Sequence, residues 1–324
     1  MRSLMPSSSR LEIQALVTGG AGFIGGHIAQ ALCQRGAKVI VLDDLSTGDL
    51  ANLAWAGAGS GVEFIHGNIT DRALVTQLVQ GCDWVFHEAA IASVPQSVEQ
   101  PVESNQVNLD ASLALLMAAR DAGVRRFMFA SSAAIYGDSQ APLKHESDPV
   151  QPLSPYGLQK YGSERYGQLF HQLYGLETVA LRYFNVFGPR QSFNSPYSGV
   201  IARFCTMMLR GEAPTIFGDG LQSRDFAYID NVVEANLLAA ERPSDQVAGK
   251  VFNIAGGTSV TLLDLISELN TLTGQQIVPH HEPARSGDIR HSAADLSAAR
   301  QQLGYAPQIT WQEGLKHTLD FYRQ

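Results

Sequence analysis

Gly19-Gly20-Ala21-Gly22-Phe23-Ile24-Gly25 follows a short apolar run over residues 13–18 and opens a helical pattern. A strand, three glycines and a helix in that order form a phosphate-binding turn. The glycines let the backbone approach a pyrophosphate, which rests on the helix N-terminus. The spacing is G-x-x-G-x-x-G, at Gly19, Gly22 and Gly25. The helix should stop near Arg35-Gly36, and a second strand over residues 38–42 delivers Asp43. An acid at the end of the second strand can bind both hydroxyls of an adenine ribose and repels a 2′-phosphate. That favours NAD over NADP.

The alternation continues outward from this turn. Strands are expected over residues 62–66, 84–88, 126–131, 178–183 and 251–254. Helices are expected over 71–80, 104–121, 200–210 and 229–241, with closing helices over 261–272, 295–303 and 311–322. Such alternation predicts an α/β fold, a doubly wound parallel sheet with a smaller, sequence-interleaved α/β domain. The first domain should comprise residues 11–183 and 227–256, and the second 184–226 and 257–324. No Pro/Gly/Ser linker separates them and no internal repeat is present. Ligands of such sheets lie at the carboxyl ends of the strands. Those ends carry the glycine turn, Asp43, His87-Glu88-Ala89-Ala90, Ser131-Ser132 and Asn185.

At 324 residues the chain is long enough for two closely packed domains. The net charge of -8, with no basic run, argues against nucleic-acid or membrane-surface partners. Residues 1–10 lack the apolar core of a signal peptide and read as a flexible leader. No apolar run reaches membrane-spanning length. Cys33, Cys82 and Cys205 are odd in number and widely spaced, as expected of buried reduced thiols. A cytoplasmic protein is the expectation.

Ser154-Pro155-Tyr156-Gly157-Leu158-Gln159-Lys160 supplies candidate chemistry. Ser154 suits a helix cap, Pro155 suits the first turn and Gly175 suits the stop. Tyr156 and Lys160 then share one helical face. A tyrosine titrates near pH ~10. A neighbouring ammonium and a cationic nicotinamide would both favour the phenolate, and a drop of ~3 pH units needs about 4 kcal/mol. Two other stretches are decoys. His87-Glu88-Ala89-Ala90-Ile91 lacks the second histidine of a zinc-protease helix, and His280-His281-Glu282 reads as a solvated loop rather than a metal site.

The glycine turn, Ala89-Ala90, Ser132 and Tyr156-x-x-x-Lys160 together resemble an extended short-chain dehydrogenase/reductase. Four longer stretches narrow this to the nucleotide-sugar 4-epimerases, of UDP-GlcNAc/UDP-Glc type. They are residues 44–48, 93–97, 181–190 and 217–230. The resemblance implies NAD contacts at Gly19, Gly22, Phe23, Ile24, Gly25, Asp43, Asp44, Ser46, Thr47, Gly48, Asn68, Ile69, Ala89, Ala90, Asn108, Lys160 and Tyr183. Asn68 stands where many relatives have an aspartate on the adenine amine. The resemblance also implies a UDP-sugar site at Ser93, Ser132, Tyr156, Asn185, Gly199, Val200, Thr215, Phe217, Arg224, Arg285 and Ser292. Asn185, Arg224 and Arg285 would grip the diphosphate. Thr215 and Phe217 would lie near uracil.

In the same comparison Tyr156, Lys160 and Ser132 are catalytic. Related 4,6-dehydratases carry Asp-Glu directly after the serine, and UDP-glucuronate decarboxylases carry a glutamate there. This chain has Ala133-Ala134, and alanine transfers no proton. That leaves oxidation and reduction at C4: Tyr156 takes the O4 proton, the 4-keto sugar turns over, and the hydride returns to its other face. Ser292 stands where glucose/galactose epimerases have tyrosine, which leaves room for an acetamido group. The implied pair is UDP-GlcNAc/UDP-GalNAc, with UDP-Glc/UDP-Gal also accepted. The alternatives are a UDP-glucuronate 4-epimerase, a net dehydrogenase/reductase, or a non-catalytic NAD-binding sensor. A homodimer is implied, with helices near 104–121 and 156–174 paired across a two-fold axis.

Overall fold

The computed structural model describes residues 13–57, 59–139, 141–193, 199–284 and 290–323. Its strands are β1 (Gln14–Thr18), β2 (Lys38–Asp43), β3 (Val62–His66), β4 (Trp84–His87), β5 (Arg126–Ser132), β6 (Glu177–Tyr183), β7 (Asn185–Phe187), β8 (Thr215–Phe217), β9 (Ser223–Tyr228), β10 (Lys250–Ile254), β11 (Ser259–Thr261), β12 (His280–Glu282) and β13 (His291–Ser292). Seven of them form one sheet in the order β10-β6-β5-β4-β1-β2-β3. Every neighbouring pair in it is parallel. Helices cover both faces, so the central strands read as near-continuous apolar runs. Trp84, Val85, Phe86, Phe127 and Met128 are all buried. The strand order reverses between β1 and β4, and that switch point opens a crevice at the carboxyl ends.

The remaining strands are short. β11, β9 and β13 make a second sheet, with β7 also paired to β9, and β12 pairs with β8. β9 runs unbroken across residue 226, where the sequence reading divides the domains. It must stay whole because it pairs with β11 at Ser223–Asp225 and with β7 at Phe226–Tyr228. The stretch His280–Glu282, expected as a loop, is a strand in register with Thr215–Phe217.

Helix ends follow local chemistry. Ser154 Oγ accepts from Gly157 N at 3.1 Å, and Gly175 closes the Pro155–Tyr174 helix in the left-handed conformation. Thr261 and Thr310 each start a helix with a reciprocal capping box. The helix expected over 104–121 begins earlier, at Pro101, and contains a π turn at Gln106–Asp110. The helix expected over 295–303 is reduced largely to a π turn, Ala299–Leu303. Cys82 and Cys205 are buried and Cys33 half-buried, all three as free thiols. No helix among the described residues is long and apolar enough to cross a membrane.

Candidate active site

The crevice begins with the glycine turn, whose glycines are there for space. A side chain on Gly25 would place Cβ 2.3 Å from Gly19 O, and one on Gly19 would come within 2.7 Å of Ala89 N. Gly19 also has φ +68°. The Phe23–Gln34 helix that follows has Gly22 at its N-cap and no side-chain cap. Its first N–H groups are therefore left uncapped by any side chain, as an anion-binding terminus requires. Asp43 closes this end. Its carboxylate accepts from Ala21 N at 3.0 Å and from Leu45 N at 2.8 Å. Gly48 lies against it, where a Cβ would approach within 2.7 Å. A pyrophosphate on the helix terminus and an adenine ribose beside Asp43 fit this cradle.

Two side chains near the adenine end, Asn68 and Asp44, are engaged within the protein. Asn68 Oδ1 accepts from Thr70 N and Oγ1, at 2.9 and 2.6 Å, and its Nδ2 donates to Asp44 Oδ2 at 2.7 Å. Asn68 therefore braces the loop, and its acceptor is already engaged. Asp44 also accepts from Ser46 N, at 2.9 Å. Ser46 and Thr47 are exposed and Ile69 is buried.

Asn108 is 1% exposed and sits in the π turn. Its side chain grips the Ala89–Ile91 turn, accepting from Ile91 N at 2.8 Å and donating to Ile91 O at 3.0 Å. It also donates to Gln159 Oε1 at 2.9 Å. It thus holds the Ala89–Ile91 turn in place. His87 works alongside it. Ser112 Oγ donates to Asn108 O at 2.7 Å, so it accepts from His87 Nε2–H, also at 2.7 Å. His87 Nδ1 then accepts from Thr18 Oγ1 at 2.8 Å. Burial, and after it the Lys160 charge, push His87 down to about 3, so it is a neutral strut.

The candidate reacting groups lie at the end of β5 and in the first turns of the Pro155–Tyr174 helix. Ser132 Oγ accepts from Ala134 N at 3.1 Å and is hydrogen-bonded to the Tyr156 side chain. Tyr156 N donates to Ser97 Oγ at 3.1 Å, which pins the first helical turn. Gly157 allows close approach, since a Cβ there would lie 2.9 Å from Ala134 O. Lys160 Nζ donates to Ala130 O at 2.8 Å and stands 5.9 Å from the Tyr156 ring centroid.

The electrostatics correct one expectation. Lys160 was expected to depress Tyr156. Burial instead raises the Tyr156 phenol, opposed by the Ser132 hydrogen bond and assisted by the Glu88 charge. Burial also lowers Lys160, and Glu88 partly restores it. The ammonium donates to Ala130 O and has the Glu88 carboxylate as a counter-charge, so burial and Glu88 outweigh it at the phenol. Glu88 had no role in the sequence reading. Burial pushes its carboxyl up, and Tyr183 and Lys160 pull it back. Tyr183 OH donates to Glu88 Oε1 at 2.9 Å and accepts from Asn236 Nδ2 at 2.7 Å.

Several of the remaining expected residues are tied to β9. β13 pairs with β9 so that Ser292 lies opposite Arg224. β7 pairs with the same strand, and Asn185 Nδ2 donates to Asp225 O at 3.2 Å. Gln222 Nε2 donates to Phe217 O at 2.7 Å, which ties β8, with Thr215, to the start of β9. Asp225 explains the acid beside Arg224. It is buried and accepts from Gly256 N at 2.8 Å, Gly257 N at 3.0 Å and Ala294 N at 3.4 Å, clamping the Ser292 segment. Ser93 caps the Val94–Glu99 helix, and Gly199 and Val200 start the Val200–Leu209 helix. Arg285 lies outside the described residues. Among the described residues no three His, Cys, Asp or Glu side chains could hold a metal ion.

The nucleotide cradle and the Tyr-Lys-Ser group both lie within the stretch that a family model matches. The NAD dependent epimerase/dehydratase family matches residues 15–255. The chain belongs to that family.

Among relatives, the UDP-glucose 4-epimerase of Mycolicibacterium smegmatis is 36% identical over 313 residues, covering 96% of this chain and 99% of that protein. The UDP-N-acetylglucosamine 4-epimerase of Methanobrevibacter ruminantium, solved with UDP-N-acetylmuramic acid, is 40% identical. It superposes with a TM-score of 0.91 over 96% of this chain and 98% of that one. The UDP-glucuronic acid 4-epimerase of Bacillus cereus, solved with UDP-glucuronic acid and NAD, is 31% identical. Its TM-score is 0.89, over 96% of this chain and 99% of that one. As an epimerase/dehydratase-family enzyme the chain uses NAD, for which its glycine cradle and Asp43 are suited.

Reading the sequence alone missed Glu88, Ser97, Gln159 and Glu164. Glu88 was visible as an acid at a strand end, inside a motif set aside as a decoy. The others pair with residues far away in the chain and gave no local signal.

Proposed function

We infer that this NAD-dependent UDP-sugar 4-epimerase interconverts UDP-GlcNAc and UDP-GalNAc, and accepts UDP-Glc and UDP-Gal as well. The observation that carries the reading is the pairing of Ser292 with Arg224, which brings a small side chain beside a candidate diphosphate ligand. Similarity to an N-acetylglucosamine-type epimerase adds to it.

Bound NAD would supply the hydride acceptor and donor for the sugar C4, held by the glycine turn and Asp43. The chain supplies the rest. Tyr156 accepts and returns the O4 proton. Ser132 Oγ hydrogen-bonds O4 and the phenol together. Lys160 orients the nicotinamide ribose. Asn185 and Arg224 hold the diphosphate while the 4-keto ring turns. Ala133 and Ala134 offer no base at C5 or acid at C6, so elimination does not compete.

Purified protein incubated separately with UDP-GlcNAc and UDP-Glc, and read by anomeric proton NMR, tests this. UDP-GalNAc should appear. UDP-Gal alone would overturn the pocket reading, and no product from either sugar would redirect the search to UDP-uronates. Ser292→Tyr should cut turnover of UDP-GlcNAc about 10- to 100-fold while sparing UDP-Glc, as expected when a pocket is filled by a ring. Equal loss for both sugars would count against the acetamido pocket.

The protein is also proposed to act as a homodimer. Leu158, Tyr166, Leu169 and Leu173 are spaced to line one face of the Pro155–Tyr174 helix, and all are exposed, Leu173 at 67%. Met117 on the neighbouring helix is exposed as well. Such a stripe suits a two-fold helical contact. Leu169→Asp combined with Leu173→Asp should halve the mass measured by light scattering. An unchanged mass would place the contact elsewhere.

A further inference from the structure

The strand ends are ordered along the crevice. Asp43 ends β2, the glycine turn follows β1, Glu88 directly follows β4, and Ser132 ends β5. These strands are adjacent, each about 4.8 Å from the next. A dinucleotide with its adenine ribose at Asp43 and its pyrophosphate at the glycine turn must therefore lay its nicotinamide over the end of β4, before Tyr156 and Ser132. Glu88 is the acid at that place.

Its orientation is fixed from behind. Asn236 lies on the Ile229–Glu241 helix, is 1% exposed, and can only donate to Tyr183 OH through Nδ2. Tyr183 must then spend its own proton on Glu88 Oε1. That bond favours the accepting, ionised carboxylate. The charged or titratable groups facing Glu88 are Lys160 and Tyr156 from the Pro155–Tyr174 helix and Tyr183 from β6. His87, its neighbour on β4, is held neutral.

We propose that the Glu88 carboxylate is a positioning charge that balances the positive charge of the oxidised nicotinamide beside Lys160, and so keeps the resting enzyme in its NAD+ form and drives the hydride back to the 4-keto sugar. The proposal rests on NAD-dependent C4 chemistry but not on which sugar is used. In the forward half-reaction two electrons and one hydrogen leave C4 as hydride, and the O4 proton goes to the Tyr156 phenolate. The nicotinamide thereby loses its positive charge and Glu88 loses its counter-charge. An anion near the ring opposes that loss and favours the return step. Without it, two cations, Lys160 and the oxidised ring, would stand together in a poorly screened site.

The test uses cofactor-stripped protein without sugar, titrated separately with NAD+ and NADH by calorimetry. Glu88→Gln should shift the ratio of the two affinities about tenfold toward NADH, the change expected for removing one nearby buried charge. Glu88→Asp, which keeps the charge, should restore most of the wild-type ratio. If Glu88→Gln does not fold, Glu88→Leu reads the same ratio. An unchanged ratio in the charge-free variant would overturn the proposal, as would an equal shift in Glu88→Asp. Because no sugar is present, these outcomes are independent of any failure to detect epimerised product.

Discussion

Replacing Tyr156 by phenylalanine is expected to lower kcat by about 10²- to 10⁴-fold, the range for losing a positioned acid–base group, while leaving NAD bound. The ring would keep its place. The backbone N–H of residue 156 is held by Ser97, Gly157 packs on Ala134, and Lys160 is anchored on Ala130 O rather than on the phenol. KM for the UDP-sugar should change far less than kcat, since the lost interaction acts on a moving proton. The pH dependence follows with its sign. Burial raises the Tyr156 phenol in the ligand-free protein, so tyrosinate absorbance from this residue should develop only above the ordinary value of ~10. Adding NAD+ should bring it down, because the new positive charge favours the phenolate. Turnover should then rise with pH through that lowered value, as the base loses its proton. A variant that keeps near-full activity would transfer the base role to another group, and a phenol that titrates below ~10 without cofactor would show that burial does not dominate at Tyr156.

What was legible in the sequence was what depends on neighbours along the chain. The glycine turn, the cap at Ser154, the stop at Gly175 and the strand–helix alternation are set within a few residues, and all are found where expected. What was not legible depends on distant partners. β7, β8, β11, β12 and β13 are two or three residues long, too short to show a period, and exist because β7, β11 and β13 pair with β9 and β8 pairs with β12. The π turn at Gln106–Asp110 follows from tertiary bonds: Ser112 and Ser163 both donate to Asn108 O, at 2.7 and 2.9 Å. Asn108 and Asn68, expected on the cofactor, are also hydrogen-bonded to distant parts of the protein, which no local pattern shows. The Tyr156–Lys160 spacing was read correctly as one face. Its electrostatics was not, because Glu88 follows a strand 72 positions before Lys160 and nothing in the local pattern announces it.

The largest stability effect is expected behind the site, at Glu164. It lies one helical turn beyond Lys160 and is 1% exposed. Its two oxygens take Arg182 Nε at 2.9 Å and Nη2 at 2.6 Å, and Ser131 Oγ at 2.8 Å. Arg182 continues to Tyr136 OH at 2.7 Å and Glu146 O at 3.1 Å, and Tyr136 OH donates to Asn253 Oδ1 at 2.6 Å. Five segments of the fold thus meet on one buried ion pair, and three of its members adjoin site residues: Ser131 next to Ser132, Arg182 next to Tyr183, and Glu164 on the helix of Lys160. Glu164→Ala strands the buried guanidinium. Removing one partner of such a pair costs about 3–5 kcal/mol, read from the urea midpoint. Glu164→Leu combined with Arg182→Met should cost clearly less, since no charge is left unpaired and the volume is kept. This ordering separates a charge effect from simple loss of packing, which would make the double variant at least as unstable as the single. If Glu164→Ala costs under about 1 kcal/mol, solvent has reached Arg182 and the pair does not hold these segments together. If the cost is as expected, kcat should fall as well while Tyr156 and Ser132 remain in the chain, because both groups are positioned by segments that converge on this pair.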